Sequence, residues 1–354
     1  RADDLKTGDR IMTCSDTIQV IATTISGSVS DWAKVEKIVP LFQQHGHNEV
    51  ELQVVDSHIQ ARERSRDLVR AGCRRVISAG GSGTFNSVLT GCIDSGIPLS
   101  ETTLGFLRKG SADLIGKVLR MPDHIDDAIA IFATSLEGEH TIGCDVIRVT
   151  SETGDIPARH FVGYSGAEIF GRVPHFTENR LTKYYKGILS QLFGDLGPFF
   201  VGASLSALER TIHLPFSRRR KWSFSVDGQQ TPPRLCSSII IVNGDLGPNL
   251  PFARGVPLGS GDFHVFVLLD RGARRLPGQF QHAFDGTILD DPDRWGMEHL
   301  RVEASLILSP DDGAPFPINV DGSTMMCRGS ATFRIVDRIR LMAHPEASEQ
   351  SSIA

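Results

Sequence analysis

Three glycines separate an apolar stretch from a segment with helical spacing, in the run Gly80-Gly81-Ser82-Gly83-Thr84. Residues 75–79 before the run have the composition of a buried strand, and residues 85–93 after it repeat apolar side chains at helical intervals. Glycine backbones allow close approach, and the first N–H groups of a helix attract anions. The run is therefore a candidate phosphate-binding turn.

A second turn of similar type follows the next predicted strand, which covers residues 103–107. This turn reads Arg108-Lys109-Gly110-Ser111-Ala112-Asp113 and precedes a short helix. Ligands of parallel α/β sheets bind beyond the carboxyl ends of the strands, so the two turns should share one site. Arg108 and Lys109 would either contact phosphates there or form a solvated surface.

The elements that carry these turns alternate between strand and helix in the first part of the chain. This alternation predicts right-handed crossovers and a parallel sheet. From His140 onward, short strands separated by Gly, Pro and Asp clusters predict an antiparallel sandwich, with one helix near residues 181–193. We predict an N-terminal doubly wound parallel α/β domain (1–138), an antiparallel β-sandwich domain (139–344) and a polar tail (345–354).

Composition narrows the functional classes. The chain has 354 residues, enough for two domains, and its net charge of −5 gives no general attraction to nucleic acid. No apolar run reaches 18 residues and no signal-peptide pattern is present, so a cytoplasmic protein is expected. The six cysteines form no C-x-x-C pair, which predicts reduced, buried thiols.

One basic run stands out, Ser217-Arg218-Arg219-Arg220-Lys221-Trp222. It reads either as an exposed hairpin tip or as a contact to anionic lipid headgroups. In the second reading, the basic side chains from Arg218 to Lys221 would attach the protein peripherally to a membrane.

The order of these motifs resembles the diacylglycerol kinase, sphingosine kinase and bacterial lipid kinase superfamily. The family turn G-G-D-G-T stands here as Gly80 to Thr84, and the family motif G-T-x-N-D-F-A-R-x-L-G-x-P is approximated from Gly110 to Pro122. Further matching segments are Asp56-Ser57-His58-Ile59-Gln60-Ala61, Ile241-Val242-Asn243-Gly244, Pro257-Leu258-Gly259-Ser260-Gly261-Asp262 and Asn319-Val320-Asp321-Gly322-Ser323, the last at the position of the family D-G-E.

The resemblance implies a cleft between the two domains that binds ATP and Mg²⁺ and accepts a lipid hydroxyl. It assigns phosphate or nucleotide contacts to Gly80, Gly81, Gly83, Thr84, Asn86, Gly110 and Ser111. Asp321 would take the hydroxyl proton or hold the metal, Ser82 would be a second catalytic residue whose hydroxyl could reach Mg²⁺, and Asp262 would be a second metal ligand.

Two family carboxylates are missing. Ser82 replaces the acid of the first turn and Ser323 replaces the Glu of D-G-E. A general base is worth about 10²–10⁴ in rate, so another acid would have to substitute. The candidates are Asp56, Asp113, Asp245 and Asp262.

Three functions stay open at this point. The chain is predicted to transfer phosphate from ATP to the hydroxyl of a lipid or other small alcohol. Alternatively, it is a catalytically altered or inactive member that binds a nucleotide or lipid, or it acts on an already phosphorylated substrate. The sequence does not specify the acceptor, although exposed sandwich strands are compatible with a homodimer.

Overall fold

The computed structural model describes Cys14 and residues 17–23, 30–108, 114–172, 220–272 and 274–348. The helix predicted at residues 181–193 and a strand predicted at residues 210–214 lie outside these residues. Within the described part of the chain, no helix is long and apolar enough to cross a membrane.

The N-terminal part of the chain forms a parallel sheet flanked by helices. Its strands are β1 (Ile18–Thr23), β2 (Val50–Val55), β3 (Arg75–Gly80) and β4 (Thr103–Arg108), in the order β2-β1-β3-β4. Its helices are α1 (Ser30–Gln44), α2 (His58–Arg70), α3 (Ser82–Asp94), α4 (Leu114–Val118) and α5 (Ile125–Gly138). The strand order reverses between β1 and β3, and such a switch point is where open α/β sheets bind ligands.

From residue 141 onward the strand pairing is mainly antiparallel. The strands are β5 (Thr141–Ser151), β6 (Arg159–Phe161), β7 (Tyr164–Glu168), β8 (Lys221–Val226), β9 (Gln229–Gln230), β10 (Arg234–Val242), β11 (Phe263–Leu269), β12 (Met297–Val302), β13 (Ser305–Pro310), β14 (Phe316–Val320), β15 (Ser323–Cys327) and β16 (Ala331–Met342). Helices α6 (Leu276–Asp285) and α7 (Pro292–Trp295) lie between β11 and β12. The predicted combination of a parallel α/β sheet and an antiparallel sandwich is confirmed.

The buried apolar side chains form two clusters. The first fills the α/β layers and continues onto the face of β10 and β11 that α6 covers. The second lies inside the sandwich and includes Trp222, Phe224 and Phe316. Alternate residues of β10 belong to different clusters, because side chains of a strand point to opposite faces. Ile239 and Ile241 belong to the sandwich cluster, whereas Ile240 and Val242 belong to the first cluster.

The last strand, β16, connects the two parts of the sheet. It pairs with β5 along its whole length, and its first residues pair with β13. Near its end, Arg340 and Leu341 pair in parallel with Thr103 and Leu104 of β4. Hydrogen bonding is therefore continuous across the division predicted at residue 138, and that division itself stays a prediction.

Two local expectations are corrected. Residues 302–308 were predicted as one strand, but β12 ends at Val302 and β13 begins at Ser305. The predicted tail is packed where it begins, because Ala347 and Ser348 are buried and the Ser348 hydroxyl lies 3.3 Å from His140 Nδ1.

The cysteines also differ in part from expectation. Cys14 and Cys73 form a disulfide, against the prediction that all six cysteines are reduced. Sequence spacing gave no sign of this pair, because 59 positions separate its members. The other four, Cys92, Cys144, Cys236 and Cys327, are buried free thiols as predicted.

Candidate active site

The turn from β3 into α3 presents an open helix N-terminus at the switch point of the sheet. Gly81 is the N-cap residue, with an extended backbone (φ −88°, ψ −178°), and no side chain caps the helix. A Cβ added at Gly81 would meet no atom within 4 Å, so the space beside the turn is open. Uncapped N–H groups and the helix dipole make this a favourable position for phosphate.

Gly80 is closely packed, unlike Gly81. A Cβ there would lie 2.6 Å from the Thr84 hydroxyl oxygen, which is itself 2.7 Å from the Thr23 hydroxyl oxygen of β1. The Thr84 side chain is only 1% exposed. Thr84 therefore holds the turn from inside the protein, and its contact with phosphate stays a prediction.

His58 forms one side of the turn. A Cβ at Gly83 would lie 2.9 Å from His58 Cε1, so only glycine leaves room for the imidazole ring. Partial burial lowers the pKa of His58, which keeps the ring uncharged at neutral pH. The ring therefore shapes the turn without adding positive charge to it.

Asn86 lies one helical turn beyond Ser82, on the same face of α3. Its side-chain oxygen is buried and has no hydrogen-bond partner. A buried acceptor without a partner is unfavourable, so a donor from a ligand or water would be stabilised there. The position is compatible with the predicted nucleotide contact, although Asn86 lies one turn into α3 rather than at its N-terminus.

Segments far apart in sequence meet at the start of α3. A Cβ at Gly322, in the turn between β14 and β15, would lie 3.6 Å from the Ser82 hydroxyl oxygen and 3.4 Å from the Tyr164 hydroxyl oxygen. The turn between β14 and β15 thus lies directly beside the candidate phosphate-binding turn, and the space next to them is the predicted cleft. This places Ser82 and the Asp321-Gly322 turn together, as the resemblance implied.

Asp321 organises the sandwich side of this cleft. Its carboxylate accepts hydrogen bonds from the backbone N–H groups of Val162 (3.1 Å) and Tyr164 (2.8 Å). A Cβ at Gly163 would lie 2.8 Å from both Asp321 Oδ1 and Ile115 Cδ1, so this turn requires glycine. Because Asp321 is only 5% exposed, its main visible role is to fix residues 162–164.

The ionisation of Asp321 is shifted toward neutral pH. Burial raises the pKa of its carboxyl group to about 6, although hydrogen bonds from Tyr164, Val162 and Gly163 favour the ionised form. A carboxyl group with a pKa near neutrality can exchange a proton under physiological conditions. The predicted role as a general base remains compatible with its position beside the cleft.

The Asp321→Asn variant should reveal this shift in its stability profile. A raised folded-state pKa stabilises the fold below the ordinary pKa of 3.8, and this contribution is lost as pH rises through 6. Between pH 4 and pH 7 the wild-type free energy of unfolding should fall by about 3 kcal/mol relative to the variant. Urea unfolding across this range measures the difference, and parallel profiles would show that Asp321 ionises normally.

The two predicted metal ligands, Asp262 and Asp321, lie next to the ends of different strands of the sandwich. Asp262 accepts hydrogen bonds from Ser260 and Arg301, and strands β7 and β10 separate it from Asp321. Three strand spacings correspond to roughly 14 Å, too far for two ligands of one ion. Among the described residues, no three His, Cys, Asp or Glu side chains form a group able to hold a metal.

The hydrogen-bond partners of Asp262 and Asp245 give both carboxylates a structural role. Burial opposes its ionisation, but the Ser260 and Arg301 hydrogen bonds outweigh burial and lower the pKa of Asp262. Asp245, another candidate acid, accepts hydrogen bonds from the backbone N–H groups of Gly247 and Gly255. Both carboxylates therefore stabilise loops, and metal binding by Asp262 stays a prediction.

A guanidinium group takes part in the site at Ser323. Arg159 Nη1 donates to the Ser323 hydroxyl at 3.0 Å, and that hydroxyl donates to the Val320 carbonyl at 2.9 Å. Where the family pattern has an acid, this chain has a serine and a neighbouring positive charge. Sequence reasoning missed Arg159, because no motif surrounds it.

Several predicted residues contribute elsewhere or lie outside the described chain. Gly110, Ser111 and Asp113 are outside it, as are Arg218 and Arg219 of the basic run. Arg220 forms an ion pair with Asp312 (3.0 Å) and lies over the Trp222 ring. Asn243 is buried, and its amide nitrogen donates to the carbonyls of Asp145 (2.7 Å) and Val162 (2.8 Å), a structural role.

Residues 17–148 match the family model of the diacylglycerol kinase catalytic domain. Among curated proteins, no sequence matches the chain.

Solved structures from Bacillus anthracis strain Sterne are similar over almost the whole chain. One, assigned provisionally as a diacylglycerol kinase, has 16% identity and a TM-score of 0.66, covering 96% of this chain and 99% of its own. Another, described as a diacylglycerol kinase, has 15% identity and a TM-score of 0.59, covering 94% and 98%. At this identity the likeness shows the fold, and together with the match of residues 17–148 to the family model it confirms the predicted resemblance to the lipid kinase superfamily.

Proposed function

We propose that the protein transfers the terminal phosphate of ATP to the hydroxyl of a lipid or other small alcohol in the cleft between α3 and the β14–β15 turn. The observation that carries this proposal is the uncapped N-terminus of α3 facing the Asp321-Gly322 turn, with Ser82 and Tyr164 between them. Phosphoryl transfer depends mainly on positioning and charge stabilisation, and both sides of the cleft contribute to these.

Each side of the cleft has a distinct task in this proposal. The N–H groups at the start of α3 bind the phosphates, and the open space beside Gly81 lets them approach the backbone. The Arg159 guanidinium, near Ser323, offsets negative charge. Asp321 holds residues 162–164 in place and accepts the proton that the acceptor hydroxyl loses.

ATP supplies the transferred group, and the open α3 N-terminus fits its phosphates. A protein-bound Mg²⁺ does not fit the described residues, because no three of their His, Cys, Asp and Glu side chains are grouped to hold a metal, and Asp262 pairs with Arg301. The proposed roles of Asp321 and Arg159 therefore do not depend on such an ion.

An apolar pocket supports a lipid as the acceptor. It lies between α6 and the face of the sheet formed by β10 and β11, and it is a narrow pocket of about 20 Å³ with an open mouth. Its lining includes Ile169, Phe170, Ile240, Phe252, Phe280 and Phe284. The Phe170 ring packs edge-on against Tyr164 at 5.7 Å, so the pocket adjoins the residues that face Ser82.

Filling this pocket should prevent use of a lipid acceptor. Ala283 is buried on α6 and lines the pocket, so Ala283→Phe places a ring inside it. We expect the Michaelis constant for a lipid acceptor to rise at least tenfold while ATP affinity is unchanged. Gln281→Phe puts the same ring on the exposed face of α6 and is the matched control. Equal kinetics for the two variants would remove the pocket from the acceptor site.

The function is tested by incubating the protein with labelled ATP, Mg²⁺ and a panel of acceptors. The panel contains diacylglycerol, sphingoid bases, and prenyl and polyketide alcohols. Incorporation of label into one acceptor class supports the proposal and identifies that class. Bound nucleotide with no transfer to any acceptor would overturn it.

A second function is favoured by the two serines. With Ser82 and Ser323 in place of acids, the same cleft suits a protein that binds a nucleotide or lipid without catalysis. Calorimetry would then show binding without turnover. Loss of a measured transfer activity in Asp321→Asn would instead reject this alternative.

Association with other molecules follows from the proposed substrate. A lipid acceptor requires access to a membrane, and the basic run from Arg218 to Lys221 is proposed to contact anionic headgroups peripherally from the cytoplasm. Arg220 is already paired with Asp312, which leaves this contact to its neighbours. Vesicle sedimentation with and without anionic lipid measures it.

A further inference from the structure

One hydroxyl group inside the apolar pocket is buried without a partner. Ser238, on β10, is 1% exposed and lines the pocket, and its side-chain oxygen makes no hydrogen bond. Its neighbour Ser237 is equally buried, but the Ser237 hydroxyl donates to the Leu268 carbonyl at 3.2 Å. A buried hydroxyl without a partner destabilises a fold, so Ser238 is not explained by packing.

The direction of Ser238 follows from the strand. Side chains of β10 alternate between the two faces, and Ile240, two residues away, lines the same pocket. Leu268, which pairs with Ser238 on the neighbouring strand, also lines it. The remaining described lining is almost entirely apolar, so Ser238 introduces a single hydroxyl among hydrocarbon side chains.

The distance from Ser238 to the cleft is set by β10. The strand ends at Val242, next to Asn243, whose backbone N–H donates to the Gly163 carbonyl at the turn fixed by Asp321. Four residues of strand correspond to roughly 14 Å. If the reacting hydroxyl of a ligand lies in the cleft, the part of its chain that contacts Ser238 therefore lies roughly 14 Å from that hydroxyl.

We propose that Ser238 is a specificity residue that hydrogen-bonds an oxygen on the chain of the bound lipid. The preferred ligand is then an amphiphile with a hydroxyl, keto or ester oxygen partway along its chain. A plain hydrocarbon chain would leave the Ser238 hydroxyl unpaired. This inference rests on the proposed function only in taking the pocket as the site of the acceptor chain.

A site that hydrogen-bonds a ligand oxygen discriminates against the analogue that lacks it. The probes are two lipids of equal length, 1-stearoylglycerol and 1-(7-hydroxystearoyl)glycerol, whose chain hydroxyl lies roughly 14 Å from the terminal glycerol hydroxyl, the distance set by β10; both compete with a fluorescent fatty acid for the protein. We expect wild-type protein to bind the hydroxylated lipid about 5–10-fold more tightly. Ser238→Ala should bind both lipids equally, with the affinity for 1-stearoylglycerol unchanged or slightly higher.

Ser237→Ala is the matched control. It removes a partnered hydroxyl, so it should lower thermal stability yet keep the preference for the hydroxylated lipid. Ser238→Ala removes an unpaired hydroxyl and should leave stability unchanged or raised.

Retention of the preference in Ser238→Ala would overturn the proposal. So would equal wild-type affinity for the two lipids, or failure of both to bind. Because binding is measured without ATP, loss of the kinase proposal would leave this result intact, and the reverse also holds.

Discussion

Ser82→Asp is expected to raise the rate of phosphoryl transfer by about 10²-fold or more, the range that a general acid–base group contributes. The new carboxylate would lie in the cleft, close to Gly322 and Tyr164, where the family turn has its acid. It would also lie in the first turn of α3, where an acidic side chain favours the helix by roughly 0.3–1 kcal/mol. Folding should therefore tolerate the change.

Ser82→Asn is the control for this experiment, since it matches the shape of Asp without its charge. Initial rates with labelled ATP and the best acceptor of the panel compare the three proteins. If Asp and Asn variants have the same rate as wild type with ATP bound, a missing base at this turn does not limit the reaction. That result would favour the binding function over the catalytic one.

Gly81→Ala is expected to weaken ATP binding by about tenfold or more without changing thermal stability. The new methyl group meets no protein atom within 4 Å, and the backbone angles of Gly81 suit alanine. The space that it occupies is where phosphate would approach the helix start. Calorimetry with ATP gives the affinity, and thermal unfolding gives the stability.

Gly80→Ala is the comparison for Gly81→Ala, because it disturbs the packing of the turn at the adjacent position. Its methyl group would lie 2.6 Å from the Thr84 hydroxyl oxygen, so the turn must shift, at a cost of about 1–3 kcal/mol in the free energy of unfolding. We expect this variant to lose both stability and ATP affinity. Unchanged ATP affinity in Gly81→Ala would place the phosphates away from α3.

The sequence predicted those parts of the site that depend on local pattern. The glycine turn, the strand before it and the helix after it follow from residues within about 20 positions, and the structure reproduces them. Their location at the switch point follows from general rules of parallel sheets. The fold class was predictable for the same reason.

Long-range contacts were less predictable, because they depend on packing rather than on spacing. Thr84 matched a family position, yet its hydroxyl pairs with Thr23 on a neighbouring strand. Asp262 matched a metal position, yet Arg301 on the adjacent strand pairs with it. The apolar pocket has no sequence pattern, since its walls use the residue types of an ordinary core.

The pairing of β16 has a consequence for how the chain acquires its structure. Residues 331–342 lie next to β4, so the β4 edge of the N-terminal sheet stays unpaired until these residues have been synthesised. Such an edge is a template for pairing with other chains. A fragment ending at residue 138 should therefore associate with itself, and the phosphate-binding turn would reach its native setting only after the last strand joins the sheet.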